Sequence, residues 1–446
     1  MEHHAQSIED ALIGGLSYKL KPGASYVTNR RAVSYFASGG NSYSPSGVKV
    51  MKFNLTGDQW LDPSTFRVAF QLNNLTPEID TGVGTVEAPL APLHWNPAVF
   101  FRRARLIAGG QVLEDIDDFN RLSIMLTSLL PEDEQTSISI EGFGHYDHRF
   151  LSNADTHSDM DTYNQQDFEF ASHVHDSRRV VFKPMLGLFN QEKLIPLRYC
   201  PLQLELELVN NSGDAVIEGV YKSWNHATPI WSISDIQCKC DVVELDSSLQ
   251  NEYVSHLLSG KSLPISFSTW NHTNQSTGND ANFSNHINRA LTRLKSVFIT
   301  LKNDDTQEYK TCNDFYHPIA LDDASGNVLL GDDEHSYQLQ IGSKLVPEYP
   351  VNSLSESFSQ LKKTVGHGFK MHSRWYRTHK YIIGLDLEKI SGAGFTGMST
   401  KAGDLMTINF KNCNSSIANS IPTRAFCALN YDAVINIRES GVEYLD

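Results

Sequence analysis

The feature that most constrains this chain is an alternation of apolar and polar residues with a period of two. Leu202, Leu204, Leu206 and Leu208 alternate with Gln203, Glu205 and Glu207, and Phe66, Val68, Phe70 and Leu72 alternate with Arg67, Ala69 and Gln71. Successive side chains of a strand point to opposite faces, so each run offers one apolar face and one mostly polar face. Strands of this kind cover a core on one side and meet water on the other, as in antiparallel sandwiches. Residues 102–108, the pair Gly109-Gly110 and residues 111–114 read as a hairpin, because paired glycines supply the positive φ of a tight turn.

At 446 residues there is room for two β-domains, and an apolar content of 40% against 20% charged supplies enough material for both cores. The two halves follow one plan. After the hairpin, Phe119, Leu122, Leu126 and Leu129 recur at helical spacing, with Asp115 or Asp117 available as a cap and Pro131 as a stop. In the second half a strand over 337–341 precedes a helix in which Leu354, Phe358, Leu361 and Val365 share a face; Ser353 to Glu356 fits a capping box and Gly366 a C-terminal stop. Late strands follow at 230–244 in the first half, and at 405–410 and 432–437 in the second. Residues 247–259 carry Leu249, Tyr253, Val254, Leu257 and Leu258 at helical spacing, which predicts a connecting helix. The expectation is a mainly all-β protein of two fused jelly-roll β-sandwiches with a few short helices: an N-terminal arm over 1–46, a first roll over 47–246 and a second over 247–446.

The 52 acidic and 37 basic residues give a formal net charge of −15, the wrong sign for a dedicated nucleic-acid binder. Cys200, Cys238, Cys240, Cys312, Cys413 and Cys427 lack the dense spacing of a secreted disulfide scaffold, so reduced thiols inside a cell are expected. The N-terminus lacks the basic and apolar stretches of a signal peptide, and no apolar run approaches the length of a membrane span.

Motifs with catalytic meaning fail on context. Gly392-Ala-Gly-Phe-Thr-Gly397 spells the dinucleotide fingerprint, but a further strand follows where a helix must open, so it reads as a loop. His173 and His175 are spaced as in metal-binding double-stranded β-helix enzymes, yet Arg179 stands where a carboxylate ligand belongs. His145 and His148 lack a third ligand. The acidic clusters at 132–134, 304–305, 322–323 and 332–334 sit beside turn residues and match no calcium loop. No catalytic residue, cofactor or metal is assigned. A two-roll enzyme of the bicupin or amidase type is the main rival reading, with a lectin-like module behind it.

Two segments are candidates for contacts. No acid occurs between Ser357 and Leu385, while Lys362, Lys363, Lys370, Arg374, Arg377 and Lys380 are interleaved with aromatic residues, forming a basic patch for a neighbouring subunit or packaged DNA. The arm lacks core periodicity but carries Tyr26, Tyr35, Phe36 and Tyr43 as possible anchors on a partner.

Many short segments, taken in order, resemble the double jelly-roll major capsid proteins, in particular those of polinton-like viruses and virophages. In the first roll these are Ser25-Tyr-Val-Thr-Asn-Arg-Arg31, Asn41-Ser-Tyr-Ser-Pro45, Trp60-Leu-Asp-Pro-Ser-Thr65, residues 105–115, Gly187-Leu-Phe-Asn-Gln191 and Ile195-Pro-Leu197 leading into Leu202. In the second they are Gly260-Lys-Ser-Leu-Pro264, Gln340-Ile-Gly-Ser-Lys344, Pro347-Glu-Tyr-Pro350 and Gly397-Met-Ser-Thr-Lys-Ala-Gly-Asp404. The resemblance implies homotrimers whose six rolls form a pseudo-hexagonal capsomer of an icosahedral DNA virus shell. It also implies neighbouring capsomers, penton and minor capsid proteins as partners, double-stranded DNA at most as a non-specific one, and residence in a virion capsid assembled inside the host cell. It carries no active site across.

Overall fold

The computed structural model describes residues 27–446 apart from 78, 81–84, 87–90, 145–176, 218–229, 279, 303–314, 316–319, 323–327, 331–334, 367, 372–375, 378–379, 391–393, 402–404 and 414–420. The first roll contains β1 (Val27–Phe36), β2 (Val50–Leu55), β3 (Trp60–Asn74), β4 (Phe101–Ala108) and β5 (Gln111–Asp117), then helices α1 (Phe119–Ser128) and α2 (Glu132–Ser139). It continues with β6 (Ser177–Phe182), β7 (Leu202–Leu208) and β8 (Trp231–Leu245). Helix α3 (Ser247–Leu258) leads to the second roll: β9 (Leu263–Ser276), β10 (Phe283–Ile287), β11 (Leu294–Lys302), β12 (Ser336–Ile341), β13 (Lys344–Val351), α4 (Leu354–Val365), β14 (Ile383–Asp386), β15 (Met406–Lys411), β16 (Arg424–Arg438) and β17 (Gly441–Leu445).

The first roll stacks a sheet of order β1-β8-β3-β6 on one of order β2-β7-β4-β5; the second has β9-β16-β11-β14 and β10-β15-β12-β13, with β17 added beside β16. Adding eight to each strand number of the first roll gives the second. All of these pairings are antiparallel, and the arrangement is that of two eight-stranded jelly rolls.

The period-two pattern becomes two faces as expected. Leu202, Leu204, Leu206 and Leu208 are fully buried, while the other face of that sheet carries cross-strand ion pairs: Lys52 and Arg105 to Glu205, Arg102 to Glu207, and Arg103 to Asp115. Such partly exposed pairs contribute little each, but they fix which residues lie opposite one another. Gly109 and Gly110 both take positive φ, 56° and 87°, at the β4–β5 turn. Helix α4 packs on β14 through Gly384, where an added Cβ would lie 2.9 Å from a Leu361 methyl.

Three expectations need correction. The segment 27–43 is no free arm: β1 is the edge strand beside β8, and Tyr43 pairs through its backbone with Ile233 and is buried in the first core. Its pattern escaped notice because β1 is exposed on most positions of both faces, so little apolar alternation is required. Second, Glu132 to Glu134 form the first turn of α2, where carboxylates complement the positive end of the helix. Third, neither Asp115 nor Asp117 caps α1; the cap position is Asp118, and its carboxylate accepts instead from Asn274 of the second roll, 2.6 Å away. The α4 cap does form, with Ser353 Oγ accepting from the Glu356 amide at 3.1 Å.

Candidate assembly surfaces and the seam between the rolls

The rolls meet where the β5 edge of the first packs against β9 of the second, with the turn at Gly187–Asn190 beside it. No ladder joins β5 to β9, so side chains and close-packed loop backbone make the seam. An added Cβ on Gly187 would lie 2.1 Å from the backbone oxygen of Ser268, which requires glycine there. The Gly187 amide donates to Glu114 Oε1 at 2.8 Å, and Thr269 of the second roll adjoins the same carboxyl. Burial pushes Glu114 up to about 7, against the hydrogen bonds that favour its charged form.

At the other end of the seam, Arg121 of α1 is buried, donates to the Leu301 backbone oxygen at 3.2 Å, and lies 4.1 Å over the Phe426 ring. His272 of β9 lies 3.8 Å from Asp118 and is pushed down to about 4, by burial first and against the attraction of Asp118. Trp60 and Tyr253 meet at 4.9 Å between the first roll and the connector. One continuous cluster of buried side chains runs through both rolls. None of these seam residues stands out in sequence, since partners such as Arg121 and Leu301 are 180 positions apart.

The sequence-derived candidates fare unevenly. Lys362 and Lys363 lie exposed in the last turn of α4, where cations suit the helix dipole; Lys370 and Arg377 are also exposed. Lys380 departs from the patch: it is 9% exposed and forms a bridge with Phe315. Arg374 lies outside the described residues, as do Tyr26, His145, His148, His173, His175 and Cys312. Of the proposed anchors, Phe36 is 66% exposed, Tyr35 packs half-buried against the first core, and Tyr43 is enclosed, its hydroxyl donating to the Gly40 oxygen at 2.9 Å. Tyr43 therefore holds its own roll together and is not available to a partner.

The fingerprint-like stretch ends in a loop: the Phe395 amide donates to Asp432, and Gly397 lies so close to Arg293 and Leu294 that a Cβ there would approach backbone at 2.6 Å. Among the described residues no group of three His, Cys, Asp or Glu side chains is placed to hold a metal, and no helix is long and apolar enough to cross a membrane.

No protein-family model and no curated protein sequence matches the chain. Solved structures do. The PBCV-1 protein VP54, fitted into a reconstruction of the virophage Sputnik, aligns with a TM-score of 0.61 at 11% identity, covering 96% of this chain and 99% of that one. The Faustovirus major capsid protein aligns at 0.55 and 8% identity over 96% and 92% of the two chains, and the mavirus major capsid protein at 0.50 and 8% over 96% and 91%. End-to-end agreement of this kind, with the strand order of both rolls, gives the chain the double jelly-roll fold of viral major capsid proteins.

Proposed function

We propose that this chain is a structural subunit, the major capsid protein of an icosahedral DNA virus, acting as a homotrimer whose six rolls make a pseudo-hexagonal capsomer. One observation supports the reading: among the described residues, one of two equivalent sheet edges is covered within the chain and the other is open. The β5 edge of the first roll is packed against β9. Its counterpart, β13, is an edge strand with Leu345 41% and Tyr349 71% exposed. The counterpart of β9 is β1, which is also an open edge, with Phe36 and Val27 exposed.

Repeating the internal contact between molecules therefore sets β13 of one copy against β1 of the next, a head-to-tail contact that closes into a ring when its rotation closes. Three two-roll chains would complete a six-fold ring of rolls. Interfaces of obligate assemblies commonly exceed about 2,000 Å², and penton and minor capsid proteins would occupy positions outside the ring. Lys370 and Arg377, exposed on the second roll, face acidic surface of a neighbouring subunit in preference to the genome. The working place is the virion capsid.

Negative-stain microscopy and sedimentation of the purified protein test this reading. Three-fold particles of three 50.0 kDa chains are expected; a monomer alone at micromolar concentration overturns it.

A further inference from the structure

A cavity of about 320 Å³ lies in the first roll between the β6 end, α1 and α2, with Trp270 of the second roll in its wall. Its volume falls at the lower end of the range for small-molecule sites. The lining is largely apolar, including Trp95, Leu126, Ile138, Phe182 and Met185. Two cations, Arg67 and Lys183, and one carboxylate, Glu141, share it, which leaves a net positive charge.

Arg67 donates to the Ser64 and Phe66 backbone oxygens and reaches Glu141 only at 4.0 Å. Lys183 has no hydrogen bond or ion pair among the described residues. Burial first and Arg67 second push its ammonium below the usual lysine range, against the smaller opposing attraction of Asp62. A half-buried cation beside another cation, at an apolar hollow, is relieved by an anion that brings its own apolar body.

We propose that this cavity binds an amphiphilic monocarboxylate, its carboxylate on Lys183 and Arg67 and its short aliphatic chain against Trp95, Leu126 and Trp270. Since the wall draws on both rolls, the bound molecule fastens the seam and stabilises the fold in proportion to the logarithm of its concentration. The inference goes beyond the capsid reading and does not depend on it.

Calorimetric titration of the full chain with hexanoate, octanoate and decanoate tests the proposal, with octylamine as the charge-reversed probe. Affinity should rise about fourfold per added CH₂ until the cavity is full, and octylamine should not bind. Lys183→Gln should weaken octanoate binding at least about tenfold, and Ile138→Trp, at an exposed lining position, should block the cavity. Absence of saturable binding by the wild-type chain overturns the proposal, as does equal binding of octylamine and octanoate. The head-group comparison needs no variant, and circular dichroism checks that Lys183→Gln and Ile138→Trp are folded. Unchanged octanoate affinity in folded Lys183→Gln also overturns it.

Discussion

The edges β5 and β13 occupy the same place in their rolls but meet opposite fates. The first is covered by β9 and seals a seam containing Glu114, Gly187, Thr269 and Ser268. The second is open among the described residues and carries Pro347 and Pro350 together with Lys344 and Glu348. Proline cannot donate to a ladder, and charges on an edge discourage strand addition. The open edge thus resists extension by another strand. A difference in surroundings, not in topology, separates the covered edge from the open one.

The largest way to break the covered edge is to fill the space Gly187 leaves. Gly187→Ala sets a methyl against the Ser268 oxygen and should cost about 3 kcal/mol in urea unfolding, whereas Gly368→Ala, with nothing within 4 Å, should stay within about 0.5 kcal/mol. Equal effects at the two sites would contradict the seam as described.

The seam also holds two groups whose pH dependences oppose each other. The Glu114 carboxyl is raised to about 7 in the fold. Its contribution is therefore complete below its unfolded value near 4.5 and is lost as pH rises through 7. His272 is lowered to about 4, so its contribution is complete above about 6.5 and is lost as pH falls through 4. Between pH 4.5 and 6.5 the two slopes offset. Glu114→Gln should leave a protein that loses stability on acidification across this window, and His272→Gln one that gains it, each by at most about 3 kcal/mol. Denaturant titrations at pH 4.5 and 6.5 check the signs; parallel slopes in the two variants would refute the offset.

Smaller still is the effect expected on the second roll's exposed cations. Lys370→Glu with Arg377→Glu should lower trimer or shell yield modestly and leave unfolding unchanged, with wild-type assembly itself weakening at high salt. Normal DNA-free yield at low and physiological salt would move these residues to a genome-facing role.

What could be read from the sequence was what local periodicity dictates. Leu202 to Leu208, the glycine hairpin, α1, α3 and α4 each carry their pattern within a dozen residues, and the two-roll plan follows from their repeated order. β1 and β13 were illegible for the opposite reason: edges exposed on both faces need no alternation, and β13 has two prolines besides. The seam was invisible because Glu114 and Gly187 are 73 positions apart and meet Thr269 only when the rolls dock. Charge counting located Lys370 and Arg377 on the surface but misplaced Lys380, which is buried and bridges through its backbone to Phe315, 65 positions away.

If the open edge of one chain takes up the open edge of the next, removing the exposed apolar side chains of β13 must abolish the trimer. Sedimentation of the full chain and of Leu345→Asp combined with Tyr349→Asp tests it most directly, because both side chains are exposed and neither supports its own roll. A trimer is expected for the wild type, and for the variant a 50.0 kDa monomer with unchanged thermal unfolding of the isolated chain. A variant that still sediments as a trimer would contradict it.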